Sequence, residues 1–113
     1  MIVDKREENV ERTVSAPSSI SADFCIRCKG DSMIGARIND GDLVYIKQQD
    51  DVDDGQIAAV LVDDEATLKR VYRQGRSVIL KSENPAYTPM VIAEDDERRI
   101  RIIGRAVEFL SRV

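Results

Sequence analysis

The sequence predicts a mostly β domain with a short helical turn after Ser32. Three observations carry this. Short apolar runs recur at close intervals, separated by Gly, Asp, Asn and Pro turn signals. Most of them alternate in polarity, as half-buried strands do. No stretch of about 12 residues carries a helical stripe. The chain has 113 residues, which suits one compact domain with a modest core.

Residues 1–21 read as a linker or mobile N-terminal arm. Glu7-Glu8-Asn9-Val10-Glu11-Arg12 is charged, and Ser15-Ala16-Pro17-Ser18-Ser19 is small, polar and proline-broken. Neither holds a period that buries a face. From residue 22 to 113 the texture is that of a folded domain. Phe24, Ile26 and Cys28 alternate with Cys25 and Arg27, a half-buried strand. Gly30-Asp31-Ser32-Met33 follows, and the helical turn is expected in the next few residues. Asn39-Asp40-Gly41-Asp42 is a strong turn signal. Leu43 to Lys47 is β-branched and aromatic, hence a strand.

Gln48 to Asp54 is polar loop. Gln56 to Val62 is almost continuously apolar, which predicts a strand buried on both faces. Asp63-Asp64-Glu65 turns the chain into a strand over Ala66–Arg73, making a hairpin. Gln74-Gly75-Arg76 turns again, and Ser77–Lys81 is a short strand. Ser82 to Pro89 is irregular, because its two prolines disfavour helix and central strand. Met90–Ile92 is a short strand or edge piece. Ile100–Leu110 is a long closing strand in which Gly104 marks a bulge or bend.

Composition narrows the function. The formal net charge is −4, and the acidic run Glu94–Glu97 offsets Arg98, Arg99 and Arg101. A chain that grips DNA by itself needs a basic stripe to neutralise phosphates. No run approaches the roughly 18 apolar residues of a membrane span, and the N-terminus lacks an apolar signal core. A cytoplasmic location is the expectation. Histidine is absent, which removes Ser-His-Asp and Cys-His catalysis. Cys25 and Cys28 stand alone as C-x-x-C, too few ligands for zinc. They point to opposite faces of a strand and read as two separately packed thiols. No metal or cofactor is expected.

Without histidine, a serine nucleophile needs another base. Lysine serves only when burial lowers its pKa from about 10.4, because the charged form loses hydration. Lys69 meets that condition on paper. Its strand carries Ala66, Leu68 and Val71, and Val60-Leu61-Val62 runs beside it. Thr67 shares its parity and offers a hydroxyl to hold the amine. Ser32 is the candidate nucleophile. Gly30 allows a tight turn ahead of it, Met33 completes the tetrapeptide, and the backbone N–H groups of Asp31 and Ser32 are candidates for an oxyanion hole.

Gly30-Asp31-Ser32-Met33, Asn39-Asp40-Gly41-Asp42-Leu43-Val44, Gly55-Gln56-Ile57-Ala58-Ala59-Val60 and Glu65-Ala66-Thr67-Leu68-Lys69-Arg70 occur in this order. Glu83-Asn84-Pro85-Ala86-Tyr87-Thr88-Pro89-Met90 and Ile103-Gly104-Arg105-Ala106-Val107 follow. Over about residues 22–113 the chain resembles the C-terminal domain of LexA-type and phage CI-type repressors and UmuD proteins, the self-cleaving Ser/Lys peptidases of the S24 type. The resemblance implies a LexA/signal-peptidase-like β fold, Ser32 as nucleophile and Lys69 as neutral base. It implies cutting of a linker to a helix-turn-helix domain, promoted by RecA filaments in the SOS response to DNA damage. It also implies a homodimer using the last strand, and operator DNA bound only through that other domain. The family's Ala-Gly or Cys-Gly cleavage dipeptide is missing before Ser32, so the chain resembles either a natural cleavage product or a chain truncated near that bond. A UmuD-like mutagenesis protein and a non-cleaving dimerisation module of a repressor are the alternatives.

Overall fold

The computed structural model describes residues 10–11, 21–96 and 98–111. The remainder of the arm expected over residues 1–21 lies outside the described residues. Among the described residues, eight strands form one antiparallel sheet: β1 (Val10–Glu11), β2 (Phe24–Arg27), β3 (Leu43–Gln48), β4 (Ile57–Val62), β5 (Glu65–Gln74), β6 (Ser77–Lys81), β7 (Met90–Ile92) and β8 (Ile100–Leu110). Their order is β1-β2-β3-β8-β4-β5-β6-β7. A 3₁₀ turn, Ile34–Ala36, follows Ser32 and Met33.

The β4–β5 hairpin closes through Asp63 and Asp64, both left-handed at φ 49° and 72°. Two successive positive-φ residues match the right-handed twist of the flanking strands, and aspartate tolerates that region. The register sets Ala58 opposite Lys69 and Val60 opposite Thr67. Strand β4 is buried on both faces, as its apolar run predicts. Ala59 packs with Phe24, Ile26, Met33, Ile46 and Leu68. Its neighbours Ala58 and Val60 pack with Val52, Val71, Leu80 and Ile92 on the opposite side. Val52 comes from the polar stretch between β3 and β4, so that loop is pinned by one apolar anchor.

Strand β8 joins the two halves of the sheet. Its first part pairs with β4 and its last part with β3. The register slips twice, passing over Ile103 on the β4 side and Val107 on the β3 side. Each bulge bends the strand and adds twist, which lets one strand serve two sheet halves. Gly104 lies at the first slip. A Cβ there would collide with Ile46 Cγ2 and lie 2.6 Å from the Lys47 carbonyl oxygen. Backbone cannot yield as a side-chain tip can, so Gly104→Ala is expected to destabilise the protein by about 1–3 kcal/mol. An unchanged urea midpoint would contradict this close approach.

Both cysteines are buried, and neither forms a disulfide. Cys28 lies in the core with Phe24 and Ile26, whereas Cys25 sits on the other parity opposite Tyr45. Burial pushes the Cys28 thiol pKa up, helped by the nearby Asp42 and Asp40 carboxylates. It is therefore an inert thiol, not a thiolate.

Candidate active site

Ser32 sits in the turn between β2 and the 3₁₀ segment. Two bonds clamp the base of the following loop: the Cys28 N–H donates to the Asp42 carbonyl, and the Gly41 N–H donates to the Cys28 carbonyl, both at 2.8 Å. The Gly30 N–H donates to Asp40 Oδ1 at 2.8 Å. Gly30 itself has φ +83°, with nothing within 4 Å of a Cβ placed on it. Its requirement is conformational: a side chain would fit the space but not the backbone angle. Next to Ser32, Met33 is fully buried, and its carbonyl accepts the Ala36 and Ile38 N–H groups. The serine is thus carried on a short turn with a buried root.

Ser32 and Met33 line a cavity of about 300 Å³ together with Ile26, Cys28, Thr67 and Leu68. Among the described residues, no acceptor takes the N–H of Asp31 or of Ser32.

Lys69 is partly buried, and burial lowers its pKa from the ordinary 10.5. Its Nζ donates to Ser82 Oγ at 2.6 Å and lies 5.7 Å from the centre of the Tyr87 ring. The hydroxyl at the amine is therefore that of Ser82, while Thr67 lines the cavity beside Ser32. Tyr87 links the two halves of the site. Its phenol O–H donates to Asp31 Oδ1, on the residue next to Ser32. That bond is also the main reason its own pKa is raised. Two more contacts hold the segment after β6 against the Ser32 turn. Asn84 Nδ2 donates to the Asp31 carbonyl at 2.8 Å, and the Gly35 N–H donates to the Glu83 carbonyl at 2.7 Å.

Ser82, Asn84 and Tyr87 are not among the site residues expected from sequence, which marks 82–89 as irregular and uses 83–90 only as part of the family resemblance. One signal was present. Arg70 pairs with Lys81 across the β5–β6 hairpin, so the residue after Lys81 continues the register opposite Lys69.

A larger cavity, about 630 Å³, is lined by Leu61, Val78, Ile92 and Ile100 with several charged residues. It holds no nucleophile. Four of its charged side chains form two ion pairs, Arg98 with Asp96 at 2.7 Å and Arg76 with Glu94 at 3.3 Å. Arg98 holds the Asp96 carboxyl down at about 2. No helix among the described residues is long and apolar enough to cross a membrane.

The family model described as Peptidase S24-like matches residues 3–107. The chain is 34% identical over 109 residues to the LexA repressor of Caldicellulosiruptor saccharolyticus, covering 94% of this chain and 52% of the relative. It is 39% identical over 105 residues to the LexA repressor of Anaeromyxobacter dehalogenans strain 2CP-1, covering 89% and 46%. With the LexA repressor of Geobacter sp. strain M21 it shares 43% over 84 residues, covering 74% and 41%. The chain spans about half the length of these relatives. On the family match, it belongs to the Peptidase S24-like family.

Proposed function

We propose that this chain is the self-cleavage and dimerisation domain of a LexA-like transcriptional repressor, with Ser32 as nucleophile and Lys69 as general base. The observation that carries the reading is a half-buried lysine of lowered pKa with no carboxylate among the described residues bonded to its amine. Its neighbour Tyr87 is fastened to the residue beside Ser32. Neutral Lys69 takes the proton from Ser32 Oγ as that oxygen attacks the scissile carbonyl. The carbonyl electrons move onto the oxygen and are met by the N–H groups of Asp31 and Ser32. The ammonium then gives its proton to the leaving amine, and water releases the acyl group from Ser32. The bond cut belongs to the linker ahead of this domain. Incubating the full-length protein at alkaline pH and sequencing the fragments tests this. An intact chain after prolonged incubation would refute it.

Dimerisation has separate support. Beyond Arg105, strand β8 pairs with β3 alone, since its pairing with β4 runs only from Ile100 to Arg105. Its other edge over 106–110 meets no strand among the described residues, and Phe109 and Leu110 are exposed at its end. An open edge beside apolar side chains suits pairing with the same strand of a second copy. The double variant Phe109→Asp, Leu110→Asp is expected to sediment as monomer where the parent is dimeric. A parent that stays monomeric at high micromolar concentration would remove this role. A LexA-like repressor places its operator contacts in another domain, and RecA filaments are the stimulating partner that this reading implies.

A further inference from the structure

We infer that Ser82 is a positioning residue for Lys69, a role that rests on the reading of Lys69 as the base. Buried polar side chains are rare in this fold: Asp42 and Ser82 are the two among the described residues. Asp42 is accounted for locally, since its carboxylate accepts from the Asn39 N–H and the Ser111 hydroxyl. Ser82 has a different partner. Its Oγ lies 2.6 Å from Lys69 Nζ, and a buried hydroxyl left without a partner costs about 1–3 kcal/mol.

The placement follows from strand register. Strands β5 and β6 pair through Arg70 and Lys81. One step further, the chain leaves the sheet at Ser82, directly across from Lys69. On the β4 side the residue opposite Lys69 is Ala58, which is fully buried and offers no polar group. Tyr87 faces the amine with its ring, and its phenol is committed to Asp31. Glu83, the nearest carboxylate in sequence, is held by Arg70 Nε at 3.3 Å. The amine is thus given a neutral acceptor, while the neighbouring carboxylates are occupied elsewhere. A carboxylate in place of Ser82 would favour the ammonium and raise the pKa, which is the wrong direction for a base.

A neutral amine has two N–H donors and one lone pair. When one N–H is given to Ser82, rotation about the Cε–Nζ bond is arrested and the lone pair is held to a restricted direction. The flexible four-carbon stem of lysine otherwise leaves that direction undefined. Such orientation is worth rate, because small displacements of a reacting group carry large penalties. The bond also acts on the pKa. A hydroxyl accepts more strongly from an ammonium than from an amine, so Ser82 partly offsets the lowering caused by burial. Removing it lowers the Lys69 pKa further.

Ser82→Ala in the full-length protein is therefore expected to do two things. The plateau rate of self-cleavage at alkaline pH falls by about ten- to a hundredfold. The midpoint of the pH profile moves to lower pH. Ser82→Thr, which keeps the hydroxyl, retains the parent midpoint. A side chain that merely supported the fold would lower the rate with the midpoint in place, and that result would overturn the inference. A second readout needs no cleavage. In the Ser32→Ala protein, the NMR titration of the Lys69 Cε signal is expected to shift to lower pH when Ser82→Ala is added. An unchanged or raised midpoint there also overturns it. If the parent protein does not cut itself, or cuts without Lys69, the reading of Lys69 as base fails. The titration still decides whether Ser82 governs the amine.

Discussion

Lys69→Ala is expected to slow self-cleavage of the full-length protein by about 10²- to 10⁴-fold, the usual contribution of a positioned general base. Ser32→Ala is expected to abolish it, since no other nucleophile stands in the turn. The pH dependence follows from the sign of the lysine's shift. Burial disfavours the ammonium and lowers the pKa from 10.5. Only the neutral amine accepts a proton. Below that lowered pKa, the reactive fraction rises about tenfold per pH unit, and above it the rate levels off. The plateau is therefore reached at a lower pH than an ordinary lysine would give. Lys69→Ala removes the titrating limb along with the rate. Equal cleavage by Lys69→Ala and the parent at alkaline pH would take Lys69 out of the reaction. Lys69→Arg is a sharper control, because guanidinium stays charged throughout this range and keeps the positive charge without the base.

The strands and the dyad candidates differ in how far the chain exposes them to reading. Ser77–Lys81, Met90–Ile92 and Ile100–Leu110 are strands at the boundaries their apolar runs and flanking turns mark. That is local information, carried by side-chain period and turn residues. The two-faced burial of β4 was legible for the same reason: Ala58, Ala59 and Val60 leave no polar face. The position of β8 between β3 and β4 was not legible. It depends on pairing between residues far apart in sequence, and on two register slips that no local pattern announces. Val52 was hidden among Gln48, Gln49, Asp50, Asp51, Asp53 and Asp54, because one apolar residue makes no period. At the site, Lys69 emerged from the lack of histidine, its apolar strand neighbours and the family resemblance. Ser82 and Tyr87 did not, since each acts across a tertiary contact from a segment without regular structure.

Met33→Ala is expected to lower stability by about 2–5 kcal/mol, the cost of emptying a buried thioether site that can only partly collapse. Met33 is fully buried against Phe24, Ile26, Ile46 and Leu68, so the cavity would open in the core shared by β2, β3, β4 and β5. A domain of this kind has about 5–15 kcal/mol to lose, so a parent above the bottom of that range stays mostly folded at 25 °C after this loss. Any fall in self-cleavage beyond the small unfolded fraction therefore reports on geometry. Such a fall is expected, because Met33 is the root of the turn that carries Ser32, and its carbonyl closes that turn onto Ala36 and Ile38. When the root shifts, the serine moves relative to Lys69, which is carried on strand β5 with its amine bonded to Ser82. Displacement of about 1 Å between reacting groups costs on the order of a hundredfold. Met33→Leu fills nearly the same volume and is expected to cost less than about 1.5 kcal/mol while keeping the rate. Denaturant midpoints and cleavage rates measured on both variants separate the two effects. If Met33→Ala loses stability but cuts at the parent rate, the nucleophile turn is held by its hydrogen bonds alone. The buried side chain would then serve the core and not the site.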